Sequence, residues 1–220
     1  MKRKVVFIHT VSGLKPFFDE LLGSLTYRAQ TIHIADETLI YSILAAEGLT
    51  PAVRARLREH VIAADRFGAD FLQFTCSSIS PCASEVASLA KATILTIDRP
   101  VALDIVERFN VIGVIATNPG TLKPSAQLLR DVAVERSRTA RVESVLCPGA
   151  YAAYLGGDLK SHDRIVKEVL LDLMTKVEAV LLAQASMARI VDTLTPGERT
   201  VPLFTSPQPA MKHLAGLLNQ

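Results

Sequence analysis

Eight short runs of apolar, largely β-branched residues recur along the chain, at 5–8, 31–34, 71–74, 94–97, 111–116, 142–146, 179–183 and 201–204, with longer stretches of helical spacing between them. That rhythm predicts parallel βα units. The run Val111-Ile112-Gly113-Val114-Ile115-Ala116 shows no polar alternation, which a strand needs when both faces of its sheet are covered. Between runs, segment 52–67 sets Val53, Leu57, Val61 and Ala64 on one helical stripe and Arg54, Arg58, Glu59 and Asp65 off it, the pattern of a covering amphipathic helix. The runs fall into two sets of four, divided at Asp98-Arg99-Pro100. The expected fold is therefore α/β: two similar lobes, each a four-stranded parallel sheet flanked by helices, with an active-site cleft between them. Lobe 1 takes residues 1–98 and a C-terminal helix at 206–220 that returns to it; lobe 2 takes residues 99–205.

A chain of 220 residues that is 49% hydrophobic has enough apolar surface to build a core unaided. Lys and Arg number 24 against 22 Asp and Glu. A balance of +2 with no basic stripe argues against a nucleic-acid partner. The basic start Met1-Lys2-Arg3-Lys4 meets an apolar run that ends at His9, too short for a signal-peptide core. No uncharged stretch is long enough to cross a bilayer, so neither export nor a membrane is expected. Cys76, Cys82 and Cys147 form no Cys-x-x-Cys pair; the reading is free thiols in a reducing cytoplasm.

Parallel α/β sheets bind ligands at the carboxyl ends of their strands. The residues there are Thr10-Val11-Ser12-Gly13, Thr75-Cys76-Ser77-Ser78, Thr117-Asn118-Pro119-Gly120-Thr121 and Gln184-Ala185-Ser186-Met187. All are small or hydroxyl-rich and uncharged, suited to offering N–H and O–H donors to a carboxylate. No Gly-x-Gly-x-x-Gly follows a strand, and the five histidines show no paired ligand spacing, so neither a cofactor nor a metal is expected. His9 is read as a satisfied strand-end histidine and Cys82 as a packing residue.

At these loops the chain resembles the aspartate/glutamate racemase superfamily, which also holds hydantoin and allantoin racemases, maleate isomerases and arylmalonate decarboxylases. The resemblance spans nearly the whole length. It rests on Ser12-Gly13, on the turn Phe74-Thr75-Cys76-Ser77-Ser78, on Ala116-Thr117-x-x-Gly120-Thr121, and on Asp36-Glu37-Thr38-Leu39. It implies a cofactor-independent enzyme of cytoplasmic amino-acid metabolism acting on a small carboxylate, and a homodimer. Family racemases use two thiols on opposite faces of the substrate, one as base and the other as acid. The second is expected after the seventh strand, where Ala185 takes the cysteine's place.

The reading is thus a one-thiol isomerase or racemase-like enzyme. Cys76 is the catalytic residue, and Ser12, Gly13, Ser77, Ser78, Thr117, Thr121, Ala185 and Ser186 form the substrate pocket. Thiolate formation at Cys76 is expected to draw on the N–H groups of Ser77 and Ser78 and on a helix starting near Pro81. A one-thiol decarboxylase or other lyase, and a non-catalytic carboxylate-binding homologue, stand as alternatives. The hydroxyl residues double as helix caps on a purely structural reading, as does Asp36.

Overall fold

The computed structural model describes residues 2–220. The strands are β1 Arg3–His9, β2 Ala29–Ala35, β3 Phe71–Phe74, β4 Thr93–Thr96, β5 Val111–Ala116, β6 Arg141–Leu146, β7 Ala179–Leu182 and β8 Leu203–Thr205. The helices are α1 Leu14–Gly23, α2 Glu37–Ala45, α3 Pro51–Arg66, α4 Ala83–Val86, α5 Arg99–Arg108, α6 Pro119–Glu135, α7 Ala150–Leu155, α8 Leu159–Met174, α9 Ala188–Thr193 and α10 Pro207–Leu218. They build two parallel four-stranded sheets, ordered β2-β1-β3-β4 and β6-β5-β7-β8. The chain divides into one unit of Met1–Pro100 with Pro207–Gln220 and another of Val101–Ser206.

In the first unit, β1 is central and buried on both faces, which is why it reads as an unbroken apolar run. Val5 and Phe7 pack with Phe18 and Leu22 of α1 and with Met211 and Leu214 of α10. Val6 and Ile8 pack on the other face with Leu39 of α2 and Leu57 and Val61 of α3. In the second unit β5 plays the same part. Ile112 and Val114 meet Ile105 of α5 and Leu129 of α6, while Ile115 meets the face that holds Val166 and Leu170 of α8. Gly113 lets that covering layer close on the strand, since a Cβ there would lie 2.9 Å from Leu173 Cδ2 and 3.1 Å from Val177 Cγ2.

Helix starts follow local chemistry. Asp36, Thr50, Asn118 and Asp158 each accept a backbone N–H in the first turn of α2, α3, α6 and α8. Gly13 opens α1 at φ 83, a left-handed conformation that costs a side-chain-bearing residue free energy. The expected helix near Pro81 is shorter than foreseen: a 3-10 turn at Ser80–Cys82 leads into α4, a single turn of four residues. It offers Cys76 little macrodipole.

Candidate functional site

In each sheet the chain steps from its first strand to one neighbour and then back to the other side, so the loops after β1 and β3, and after β5 and β7, part from one another. That switch point is where parallel α/β sheets hold ligands. In the first unit Thr75 N–H donates to Ile8 O at 3.1 Å, carrying the β1–β3 ladder one residue past the strand. Cys76 is the first residue beyond it. It is half-buried, whereas Cys82 and Cys147 are fully buried. Burial pushes those two thiols up to about 11 and about 12, so neither is a ready thiolate near neutral pH. Ser77 and Ser78 follow, both buried. Side-chain hydroxyls of Ser80 and Ser77 bond to Asp98, whose carboxyl is buried and shifted upward by desolvation; one of its oxygens has no partner.

Ser12 is committed elsewhere. Its N–H donates to Glu37 Oε1 at 2.9 Å and its hydroxyl to the same oxygen. These donors do hold a carboxylate, but it belongs to the chain itself, so Ser12 is not an open ligand donor in this structure. Thr10, which the sequence placed in this loop but not among the pocket residues, directly follows β1 and is 1% exposed with a hydroxyl lacking any partner among the described residues. Its signal was its place in the register.

On the α1 side of the same sheet, a polar chain runs into the strand ends. Thr75 Oγ1 lies 2.8 Å from His9 Nδ1, His9 Nε2 2.8 Å from His33 Nδ1, and His33 Nε2 3.1 Å from Asp19 Oδ1. Burial, then the nearby His33, lowers the His9 pKa to about 4. Burial lowers His33 as well. Asp36 is pinned by Arg56 and His60 at 2.7 and 2.6 Å, and its carboxyl sits well below the usual range despite the opposing effect of burial.

The second unit repeats this frame. Ala183 N–H donates to Ile115 O as Thr75 does to Ile8, and Cys147 N–H to Ala116 O as Asp36 does to His9. With Ile8 and Phe74 paired as Ile115 and Leu182 are, Thr10 corresponds to Thr117, Cys147 to Asp36, and Cys76 to Gln184. The expectation that Ala185 stands in the cysteine's place is therefore off by one residue: β7 ends at Leu182 and not at 183. Gln184 Oε1 accepts from Thr117 N–H at 2.5 Å and from Thr117 Oγ1 at 2.8 Å. Ala185 and Ser186 lie half-buried in the 3-10 turn Ala185–Met187. Thr121 is buried, its N–H held by Asn118 Oδ1 at 2.9 Å. A further polar group that went unforeseen joins Arg189, Asp163 and His162, with Arg189 Nη2 and His162 Nδ1 each 2.7 Å from Asp163 Oδ1. No set of three or more His, Cys, Asp or Glu residues able to hold a metal occurs among the described residues.

Twice-repeated parallel sheets, with a half-exposed thiol at the switch point of the first, define a class of α/β proteins built from two flavodoxin-like halves. The Asp/Glu/hydantoin racemase model matches residues 4–214, and the chain belongs to that family. Solved structures agree on the fold. An aspartate racemase from Picrophilus torridus superposes with a TM-score of 0.75 at 15% identity, over 100% of this chain and 95% of that one. A glutamate racemase from Bacillus anthracis gives 0.72 at 17%, over 99% and 82%. An allantoin racemase from Klebsiella pneumoniae gives 0.66 at 17%, over 99% and 88%. No curated protein matches the sequence. Family and fold together support an isomerase of the racemase type. No helix among the described residues is long and apolar enough to cross a membrane.

Proposed function

We propose that the chain is a cofactor-independent, one-thiol isomerase acting at a carbon next to a carboxylate or carbonyl of a small acid, with Cys76 as its acid and base. The observation that carries this reading is the register equivalence of Cys76 and Gln184. A carboxamide has no proton to give or take near neutral pH, so proton chemistry falls to the single half-exposed thiol. As thiolate, Cys76 removes the α-proton to form S–H while the electron pair moves onto the substrate carbonyl or carboxylate as an enolate or enediolate. The S–H then delivers its proton from the same face to a carbon conjugated with the first, which gives the isomer and restores the thiolate, while return to the original carbon only exchanges its hydrogen with solvent. Thr10, which directly follows β1, and Ser77 and Ser78, which directly follow Cys76, are buried hydroxyl residues and supply donors for the developing oxyanion.

The test is deuterium uptake from D2O into aspartate, glutamate, hydantoins, allantoin and related small acids, followed by proton NMR for the native chain and Cys76→Ala. Uptake that needs Cys76 and proceeds on one face is expected. Uptake unchanged in Cys76→Ala, or none with any of these acids, would overturn the reading.

A further inference from the structure

Two carboxamides at the β5 and β7 ends are fixed in the same sense. Gln184 Oε1 accepts a backbone N–H from Thr117, and Asn118 Oδ1 accepts a backbone N–H from Thr121. A backbone N–H requires an oxygen opposite it, so neither amide can be flipped. Both NH2 groups therefore point away from these contacts as donors. Asn118 is 3% exposed and its Nδ2 has no acceptor, an uncommon state for a buried amide. Gln184 is half-buried and no acceptor for its Nε2 is seen among the described residues. Thr117 links the two, bonded to Gln184 and adjacent to Asn118 in the chain. The 17-residue helix α6 begins immediately after, at Pro119, and adds its positive end. Two pinned amide donors, that of Asn118 buried without a partner at a helix start with no acidic residue in its first turn, favour an anionic oxygen over a neutral or cationic group.

We propose that the Asn118 and Gln184 carboxamides form an oxyanion-binding site in the second unit that takes a ligand carboxylate, Gln184 having exchanged a proton-transfer role for a hydrogen-bonding one. The choice of a carboxylate rests on the function proposed above, while the site's donor-only character comes from the two pinned amides alone. Asn118 and Gln184 are on this account substrate-binding residues that set preference for a negatively charged group.

The experiment uses malonate as probe, with uncharged malonamide as control, and reads binding to the full chain by calorimetry and by the shift in Tm. Gln184→Glu and Asn118→Asp are close to isosteric. Each keeps the oxygen that holds Thr117 or Thr121 and replaces the NH2 donor by an acceptor, so the turns stay capped and the unliganded Tm should change little. Malonate affinity is expected to fall at least tenfold in each variant, and to do so in 0.5 M salt as well, where repulsion through solvent is screened. Malonamide is expected to bind the native chain far more weakly. Malonate that fails to bind the native chain, binds both variants as well as the native chain, or is matched by malonamide would overturn the site. Cys76→Ala serves as the separating control: lost turnover with intact malonate binding leaves this site standing whatever becomes of the thiol chemistry.

Discussion

The direction of each hydrogen bond between Thr75 and Asp19 depends on the charge of His9 and His33. With both rings neutral, the Asp19 carboxylate demands a proton on His33 Nε2, which leaves His33 Nδ1 to accept from His9 Nε2–H and His9 Nδ1 to accept from the Thr75 hydroxyl. Adding one proton reverses the inner bonds, so that His9 Nδ1–H donates to Thr75 and the hydroxyl turns to Ile8 O, 3.0 Å away. Nitrogen-15 spectra at neutral pH should therefore show both rings as Nε2–H tautomers; an Nδ1–H tautomer at His9 would contradict this polarity. Because His9 falls to about 4 from an ordinary 6.5, the folded chain binds fewer protons than the unfolded chain between those values. Its contribution to stability is whole above about 6.5 and is lost as pH falls toward about 4, a change of about 3 kcal/mol. Denaturant melts across that range should show the loss in the native chain and a flatter slope in His9→Phe. An equal slope in both would show that His9 does not carry it.

At the scale of single elements, packing around β5 offers a direct check. Gly113 sits mid-strand where Leu173 and Val177 close on its Cα, and the stiff β-branched Val177 has little room to give. Gly113→Ala should cost about 1–3 kcal/mol through overpacking, read as a lower denaturation midpoint with unchanged slope; a neutral or stabilising result would mean the helix layer yields freely. Elements of this kind were legible in the sequence, because a doubly covered strand is apolar along nearly its whole length, and β5 and, but for its buried Gln73, β3 fall at the bounds their composition predicts. Their ends were not. Ala183 is apolar and buried and continues the β7 pattern, yet β7 stops at Leu182, where its pairing with β5 ends at Ile115. That one residue moved the counterpart of Cys76 from Ala185 to Gln184. Ser12 was misjudged because its partner Glu37 lies 25 positions away, and the histidine chain because its members come from two strands, the residue after a third and a helix, a meeting that sequence spacing does not record.

Across the whole molecule the same sheet order is used twice, and each sheet has its own pair of apolar layers. The first unit is discontinuous in sequence: α10, from the far end of the chain, supplies Met211 and Leu214 to the layer that covers Val5 and Phe7. Leu214 is fully buried there, so Leu214→Ala removes core volume in that layer and should destabilise by about 2–5 kcal/mol. Since units with separate cores open as separate cooperative groups, the loss should be local. Hydrogen exchange in Leu214→Ala is expected to speed up at the amides of β1 and β3 while those of β5 and β7 keep their protection. Equal acceleration in both sheets would mean instead that the two repeats unfold as one, with the terminal helix closing a single cooperative structure.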